Sequence, residues 1–167
     1  MRVVTVLPVD ELTDEAFAPY GHVLDPDKTA PTMREDIFTF WGRLAELRIQ
    51  GTTTVALLEV VPRGPEFSKL ERHVQTEEVF YALDNDVIVL VGAPTPGQEL
   101  PDPRTVRAFR LDAGKGVFLR EGAWHWIPAP LQESARLLVI FRTGTPEEDL
   151  DIKDLHETRE IRFRIAI

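Results

Sequence analysis

Residues 71–85 read ERHVQTEEVFYALDN, and residues 114–125 read GKGVFLREGAWH. Each stretch joins a histidine and nearby glutamates or glycines to a short apolar run, at residues 79–83 in the first and 117–119 in the second. Short apolar runs bounded by Gly, Asp and Asn are typical of β-strands joined by tight turns. We therefore expect both stretches to place a polar strand end in the same β-structure.

The same pattern recurs along the chain and predicts an all-β fold. Predicted strands lie at residues 3–7, 53–61, 79–83, 87–91, 106–111, 117–119, 135–141 and 160–167. In the last strand, apolar side chains alternate with Arg162 and Arg164, so one face is apolar and the other is charged. This strand has two possible pairing partners, which are a strand of the same barrel and a strand of a second subunit across a dimer interface.

Turn and helix signals divide the chain further. Residues 84–86 (Asp-Asn-Asp) are predicted to form a tight hairpin turn, because Asp and Asn tolerate left-handed backbone. Short helices are predicted at residues 13–20 and from Thr145, where the hydroxyl of Thr145 would cap the helix and Glu148 would complete a capping box. Residues 25–35 and 92–103 are predicted to be loops.

The length of 167 residues fits a single domain over residues 1–167. Many short strands in one domain favour a closed barrel or jelly roll, because these architectures leave few exposed sheet edges. We expect one or two short helices to accompany the barrel.

Acidic residues outnumber basic ones, with 28 Asp and Glu against 19 Lys and Arg, so the formal net charge is −9. Nucleic acids and anionic membranes are bound through cationic surfaces, so we expect neither as a partner. The absence of cysteine excludes disulfides and thiolate chemistry. The opening residues MRVVTVLPVDEL favour a strand over a signal peptide, and no apolar run reaches the length of a membrane span. We therefore expect a cytoplasmic protein.

The polar residues of the two quoted stretches resemble the two motifs of the cupin superfamily. In the first motif, Glu71 and His73 take the two histidine places and Glu78 takes the glutamate place. The second motif matches at Gly114, Gly122 and His125. The resemblance implies a cupin-type double-stranded β-helix in which both motifs face one pocket.

A closer resemblance covers more of the chain. LTDEAFAPYGHVLD (residues 12–25), KLERHVQTEEVF (69–80) and GAWHW (122–126) together resemble the ureidoglycolate lyase family. This resemblance implies cleavage of ureidoglycolate to glyoxylate and urea, a carbon–nitrogen lyase step of allantoin and purine catabolism. It also implies a homodimer and a small carboxylate as substrate.

The residue types suit that reaction. Elimination of urea needs a base for the hydroxyl proton and an acid for the departing nitrogen, and histidine and carboxylate groups serve both tasks near neutral pH. We expect His73, His125 and Glu78 to be catalytic. The candidates for substrate binding are Arg120 as a bidentate clamp on the carboxylate, together with Glu71 and Trp124. Trp124 has a competing interpretation as packing at the barrel mouth.

The same side chains could hold a metal ion. Two imidazoles and one or two carboxylates suit a divalent transition ion with open positions for substrate. The predicted ligands are Glu71, His73, Glu78 and His125. By contrast, Arg72 lies between two inward-facing residues and should point to the opposite face of its strand.

Two other functions stay open at this point. The pocket could serve another small-molecule cupin enzyme, such as a metal-dependent isomerase or oxygenase. It could also belong to a non-catalytic barrel that binds a small acid.

Overall fold

The computed structural model describes residues 3–167, and they form short strands with few helices. The strands are β1 (Val3–Leu7), β2 (Val9–Asp10), β3 (Gly21–Leu24), β4 (Met33–Glu35), β5 (Phe38–Phe40), β6 (Thr53–Val60), β7 (Glu66–Phe67), β8 (Lys69–Arg72), β9 (Glu78–Ala82), β10 (Val87–Gly92), β11 (Arg107–Leu111), β12 (Gly116–Leu119), β13 (Trp124–Pro130), β14 (Ala135–Arg142), β15 (Asp151–Asp154) and β16 (Ile161–Ile165). The helices are α1 (Asp14–Phe17), α2 (Thr145–Glu148), α3 (Leu155–Arg159) and a 3₁₀ turn at Pro103–Thr105. The all-β prediction is confirmed.

Two larger sheets face each other. One has the strand order β3-β12-β9-β14-β6, and the other has the order β15-β8-β13-β10-β11-β2. Apolar side chains from both sheets, including Phe80 and Val139 from the first and Val89 and Phe109 from the second, form one buried cluster between them. The chain therefore has the jelly-roll architecture of a cupin barrel.

The central strand β10 of the six-stranded sheet is buried on both faces, because a third sheet covers its outer side. This third sheet has the order β1-β16-β7 and packs Phe163 and Ile165 against Ile88 and Leu90 of β10. Every residue of β10 is consequently buried. A strand that is covered on both faces reads as a continuous apolar run, which explains why residues 87–91 (VIVLV) do not alternate.

The predicted hairpin at residues 84–86 is wrong. β9 before this turn belongs to the five-stranded sheet and β10 after it belongs to the six-stranded sheet, so the turn carries the chain between sheets. Among the described residues other than glycine, Glu160 alone has a positive φ, so the Asp-Asn-Asp turn is not left-handed. Apolar runs on both sides of a turn do not distinguish a hairpin from a crossing between facing sheets.

The capping box predicted at Thr145 is also wrong. The N-cap of α2 is Gly144 with a φ of 87°, and no side chain caps the helix. The Thr145 hydroxyl instead donates to the Arg142 carbonyl at 2.6 Å. Glycine takes the left-handed backbone that this helix start requires.

The last strand finds its partners within the same chain. β16 pairs in parallel with β1 and antiparallel with β7. Phe163 and Ile165 are buried and Arg162 and Arg164 are exposed, as the alternation predicted. None of the helices formed by residues 3–167 is long and apolar enough to cross a membrane.

Candidate active site

A cavity of about 270 Å³ opens between the two larger sheets. Glu71, His73 and Glu78 form its polar floor, and Phe80 and Val139 are among the apolar residues of its walls. The ring of His125 lies next to this floor, and its centroid is 5.1 Å from the ring centroid of His73. The structure therefore brings together all the residues that were predicted as metal ligands.

Strand pairing places these residues. Glu71 on β8 lies opposite His125 on β13 in the six-stranded sheet, and this is the single paired position between the two strands. His73 follows the end of β8, and Glu78 begins β9 in the facing sheet. The turn between β12 and β13 secures His73 as well, since the Gly122 N–H donates to the His73 carbonyl at 2.7 Å.

The four polar groups converge on a small volume. Nε2 of His125 lies 3.2 Å from Oε2 of Glu78 and 3.4 Å from Oε1 of Glu71. Nε2 of His73 lies 3.7 Å from the same oxygen of Glu78. His73, Glu78 and His125 are buried, with 8%, 6% and 2% of their surface exposed. Charges at these separations interact strongly because little water reaches them.

Both imidazoles are oriented by backbone carbonyls. Nδ1 of His73 donates to the Asp149 carbonyl at 2.6 Å, and Nδ1 of His125 donates to the Ala123 carbonyl at 3.1 Å. A carbonyl oxygen only accepts, so each Nδ1 carries a hydrogen. In the neutral ring, Nε2 then presents its lone pair to the floor, which is the arrangement of a metal-binding histidine.

Asp149 supports the cavity floor and was not predicted from the sequence. Its carboxylate accepts the N–H groups of Val74 at 3.0 Å and Gln75 at 2.8 Å, so it fixes the loop that follows His73. The same residue orients the His73 ring through its carbonyl. These partners are about 75 residues away along the chain, so no local pattern could reveal the contact. The sequence gives one indication of this role, which is that Asp149 directly follows the short helix that begins at residue 145.

The electrostatics of the floor favour a charged His125. Burial alone would lower the pKa of His125, but Glu78 and Glu71 outweigh burial and raise the pKa to about 10. Burial alone would raise the pKa of Glu71, but the neighbouring His125 and His73 lower it. Without an ion, the floor therefore holds an imidazolium at His125 beside the ionised carboxylate of Glu71.

The floor also fits a metal ion. Glu71, His73 and His125 offer one donor atom each, and these atoms lie within 4.8 Å of one another. Among the described residues, Nε2 of His125 and Oε2 of Glu78 are buried and lie 3.2 Å apart, and neither makes a regular hydrogen bond. Buried polar atoms without well-formed hydrogen bonds are costly, which favours a further bonding partner at the floor. A divalent ion bound by two imidazoles and a carboxylate would use the lone pair of His125 and match known donor sets.

Two predicted substrate-binding residues lie elsewhere. The Arg120 side chain is exposed just beyond β12, and its Nη2 donates to the Ala18 carbonyl at 2.6 Å. Trp124 is fully buried on the opposite side of β13 from His125, where its Nε1 donates to Oγ1 of Thr95 at 2.8 Å. Successive residues of a strand face opposite sides, so Trp124 cannot share the cavity with His125.

Comparison with known proteins gives the family. The family model described as ureidoglycolate lyase matches residues 4–162. The ureidoglycolate lyase 2 of Rhizobium meliloti (strain 1021) is 29% identical over 146 residues, which cover 83% of this chain and 87% of that protein. A ureidoglycolate lyase of Pseudomonas savastanoi pv. phaseolicola is 30% identical over 144 residues, which cover 83% of this chain and 84% of that protein.

Among solved structures, the oxalate decarboxylase from Bacillus subtilis has a TM-score of 0.44 and 20% identity over 64% of this chain. The match covers 24% of that longer chain. A likeness of this size says nothing about the reaction. The family model, by contrast, runs through every residue of the cavity floor, and the chain belongs to the ureidoglycolate lyase family.

Proposed function

We propose that this protein cleaves ureidoglycolate to glyoxylate and urea, as a carbon–nitrogen lyase of allantoin and purine catabolism. The observation that carries the proposal is the buried floor where two imidazoles and two carboxylates meet inside the part of the chain that matches the family. We further propose that the protein is cytoplasmic and forms a homodimer. The single-domain organisation over residues 1–167 stays a prediction.

The chemistry of the cavity supports one orientation for the substrate. In ureidoglycolate one carbon carries the carboxylate, the hydroxyl and the ureido nitrogen, and the terminal amide of the ureido group extends away from that carbon. Among residues 3–167, the polar floor at Glu71, His73 and Glu78 is the part of the lining that offers titratable groups, and no Lys or Arg side chain lines the cavity. Burying a ureido group against apolar walls without hydrogen bonds would cost several kcal/mol, roughly 2–7. The carbon that bears the carboxylate, the hydroxyl and the ureido nitrogen would therefore lie at the floor, and the terminal amide of the ureido group would lie near the open mouth.

We also propose that Glu71, His73 and His125 hold a divalent transition ion. Among residues 3–167 no Lys or Arg lines the cavity, so the floor offers an anionic substrate no permanent cation beside its carboxylate groups. A divalent ion bound by these residues would supply that positive charge. When bound, such an ion supplies Lewis-acid stabilisation of the oxygen atoms in contact with it.

Glu78 is then the group that is free to move a proton. Its unpartnered Oε2 faces the floor. It would accept the proton of the substrate hydroxyl as the carbonyl of glyoxylate forms and the carbon–nitrogen bond breaks. The same carboxyl group would return that proton to the departing nitrogen, which leaves as urea. If the protein works without an ion, His73 and His125 would form the acid–base pair instead.

The experiment follows the release of urea and glyoxylate from ureidoglycolate. We expect release well above the spontaneous rate, loss of activity with a chelator, and recovery when Mn²⁺, Co²⁺, Ni²⁺ or Zn²⁺ is returned. His125→Gln should abolish the activity, whereas His22→Gln should retain it, because His22 is exposed on β3 outside the cavity. A rate equal to the spontaneous one in the presence of every ion would refute the proposal. Full activity with the chelator would refute the metal site and leave the two histidines as the acid–base pair.

A further inference from the structure

Arg72 and Trp124 form a stack on the face of the six-stranded sheet that lies opposite the cavity. The Arg72 guanidinium lies 4.5 Å from the centre of the Trp124 ring. Arg72 is 85% buried at its side chain and Trp124 is fully buried. We call this pair the Arg72–Trp124 stack. Each member is the sequence neighbour of a residue at the cavity, Glu71 and His125.

A small polar network fixes the stack. Nε of Arg72 donates to Oδ2 of Asp151 at 2.8 Å, and Nη1 donates to the Thr95 carbonyl at 3.4 Å. Nε1 of Trp124 donates to Oγ1 of Thr95 at 2.8 Å. Thr95 therefore bonds to both members of the stack. Asp151 lies opposite Arg72 on the neighbouring strand β15, so the network also spans three adjacent strands.

The stack is located where the backbone gives the least support. β8 and β13 share one paired position, Glu71 with His125. By comparison, β8 and β15 share four paired positions. A strand pair with so short a ladder is weakly fixed in register and twist by its backbone alone. Together with the bond from the Gly122 N–H to the His73 carbonyl, side-chain contacts across β8 and β13 supply the remaining constraint.

We propose that Arg72 is a positioning residue, which acts through Trp124 to hold the Glu71 carboxylate against Nε2 of His125. Its guanidinium faces away from the cavity, so it does not touch the substrate or an ion. The planar guanidinium lies against the indole ring and is fixed by Asp151 and Thr95, so β8 cannot shift relative to β13. Glu71 and His125 then keep the separation of 3.4 Å at which they can bind one ion together.

The test measures binding of Mn²⁺ and Zn²⁺ to the full chain by competition with a fluorescent chelator. Loss of a residue that supports a ligand typically weakens metal binding by about 10–100-fold. We expect Arg72→Met to have an effect of this size. Arg72→Lys should not restore binding, because a point charge on a flexible stem lacks the planar fork that stacks on the indole. Arg136→Met is the matched control, since Arg136 also donates through Nε to a carboxylate, of Glu59 at 3.0 Å, but on an exposed surface.

A double-mutant comparison separates positioning from a general loss of structure. If Arg72 acts through Glu71, then Arg72→Met should change metal binding by less than about 3-fold in a Glu71→Gln background. An equal loss in both backgrounds would overturn the inference, as would wild-type affinity in Arg72→Met. Failure of the unaltered protein to bind any of these ions would overturn it too. If Arg72→Met does not fold, Arg72→Lys and Asp151→Asn, compared in the same two backgrounds, decide the matter.

The inference rests on the cavity floor being the proposed metal site, but it does not depend on turnover. Metal affinity can follow the expected pattern even if ureidoglycolate is not cleaved. That result would refute the proposed reaction and leave the role of Arg72 intact. Cleavage that survives in Arg72→Met with unchanged metal affinity would refute the role of Arg72 and leave the reaction intact.

Discussion

Glu71 and Glu78 are both at the cavity floor, but their surroundings differ. Oε1 of Glu71 lies 3.4 Å from Nε2 of His125, and Glu71 belongs to the group whose donor atoms can bind one ion. Glu78 has a buried oxygen with no hydrogen-bond partner and is not part of that group. The two carboxylates should therefore affect different steps.

We expect Glu71→Gln and Glu78→Gln to separate metal binding from proton transfer. Glu71→Gln should weaken binding of Mn²⁺ by at least about 10-fold, because a neutral amide is a poorer ligand than a carboxylate. Glu78→Gln should retain metal binding and lower kcat by about 10²–10⁴-fold, the usual contribution of a general acid–base group. Chelator competition and steady-state kinetics on both variants provide the measurements. Equal metal affinities in the two variants would contradict this division.

The free energy of unfolding of the metal-free protein should depend on pH. The pKa of His125 is about 10 in the folded chain, against about 6.5 in an unfolded one. A group whose pKa is raised by folding stabilises the fold fully below the unfolded value, and this contribution is lost as pH rises through the folded value. We expect stability to fall between pH 6.5 and 10, with a slope of at most about 1.4 kcal/mol per pH unit.

Urea denaturation with a chelator at several pH values in this range measures that slope. His125→Gln removes the titrating group and should flatten the profile, whereas His22→Gln should leave it unchanged. A profile that is already flat in the unaltered protein would show that His125 is not held as an imidazolium.

Glu71, His73, Glu78 and His125 were predicted from strand parity together with the resemblance to the cupin motifs, and the structure places their side chains close together. Trp124 was wrongly assigned to the cavity. It is the sequence neighbour of His125, and successive residues of a strand face opposite sides. The reasoning that predicted an outward-facing Arg72 therefore also predicts that Trp124 points away from the cavity. Arg120 could not be placed in this way. Its direction depends on the turn after β12 and on a contact with Ala18, which is far away in the sequence.

At the scale of the strands, the apolar runs located eight of the sixteen described strands to within two residues, and β8 was predicted from the alternation of Glu71 and His73. The strands β2, β3, β4, β5, β7 and β15 were missed, since two to four residues are too few to show a period. β13 was missed although it has seven residues, because Trp, His and Pro interrupt its apolar side chains. The mistaken hairpin had a different cause. The strand with which a segment pairs is decided by contacts with residues far away in the sequence. The apolar pattern of residues 79–91 therefore could not show that β9 and β10 belong to different sheets.

Close backbone packing at Gly21 makes a sharp prediction for β3. A Cβ added there would lie 1.7 Å from the Phe118 carbonyl oxygen on the paired strand β12. We expect Gly21→Ala to lower the free energy of unfolding by about 3 kcal/mol, because one of the two strands must move. Gly64→Ala is the control, since nothing lies within 4 Å of a Cβ at that position. Urea denaturation of both variants measures the difference, and equal stabilities would contradict the packing.

At the scale of the whole molecule, three sheets are stacked with two buried clusters between them. The second cluster lies between the six-stranded sheet and the sheet that contains β16. Phe163 on β16 is fully buried there and stacks on Phe67, with ring centroids 5.1 Å apart. The outer sheet therefore supports the back of the layer that carries Glu71 and His125.

Phe163→Ala should destabilise the protein by about 3–5 kcal/mol, the usual cost of removing a buried aromatic ring. Arg162→Ala, at the exposed neighbouring position, should change stability by less than about 0.5 kcal/mol. Thermal and urea unfolding of the two variants give the comparison. A loss below 1 kcal/mol in Phe163→Ala would mean that the outer sheet contributes little to the core.

The parallel pairing of β1 with β16 sets an order for events on the ribosome. Within residues 3–167, β1 lies at the edge of its sheet and pairs with β16 alone, with Val3 beside Ile161. A nascent chain must therefore be translated beyond residue 161 before its first strand can be incorporated. Until then, Leu7, which is buried in the folded chain, and the unpaired backbone groups of β1 stay available to chaperones, although the two larger sheets could already have closed.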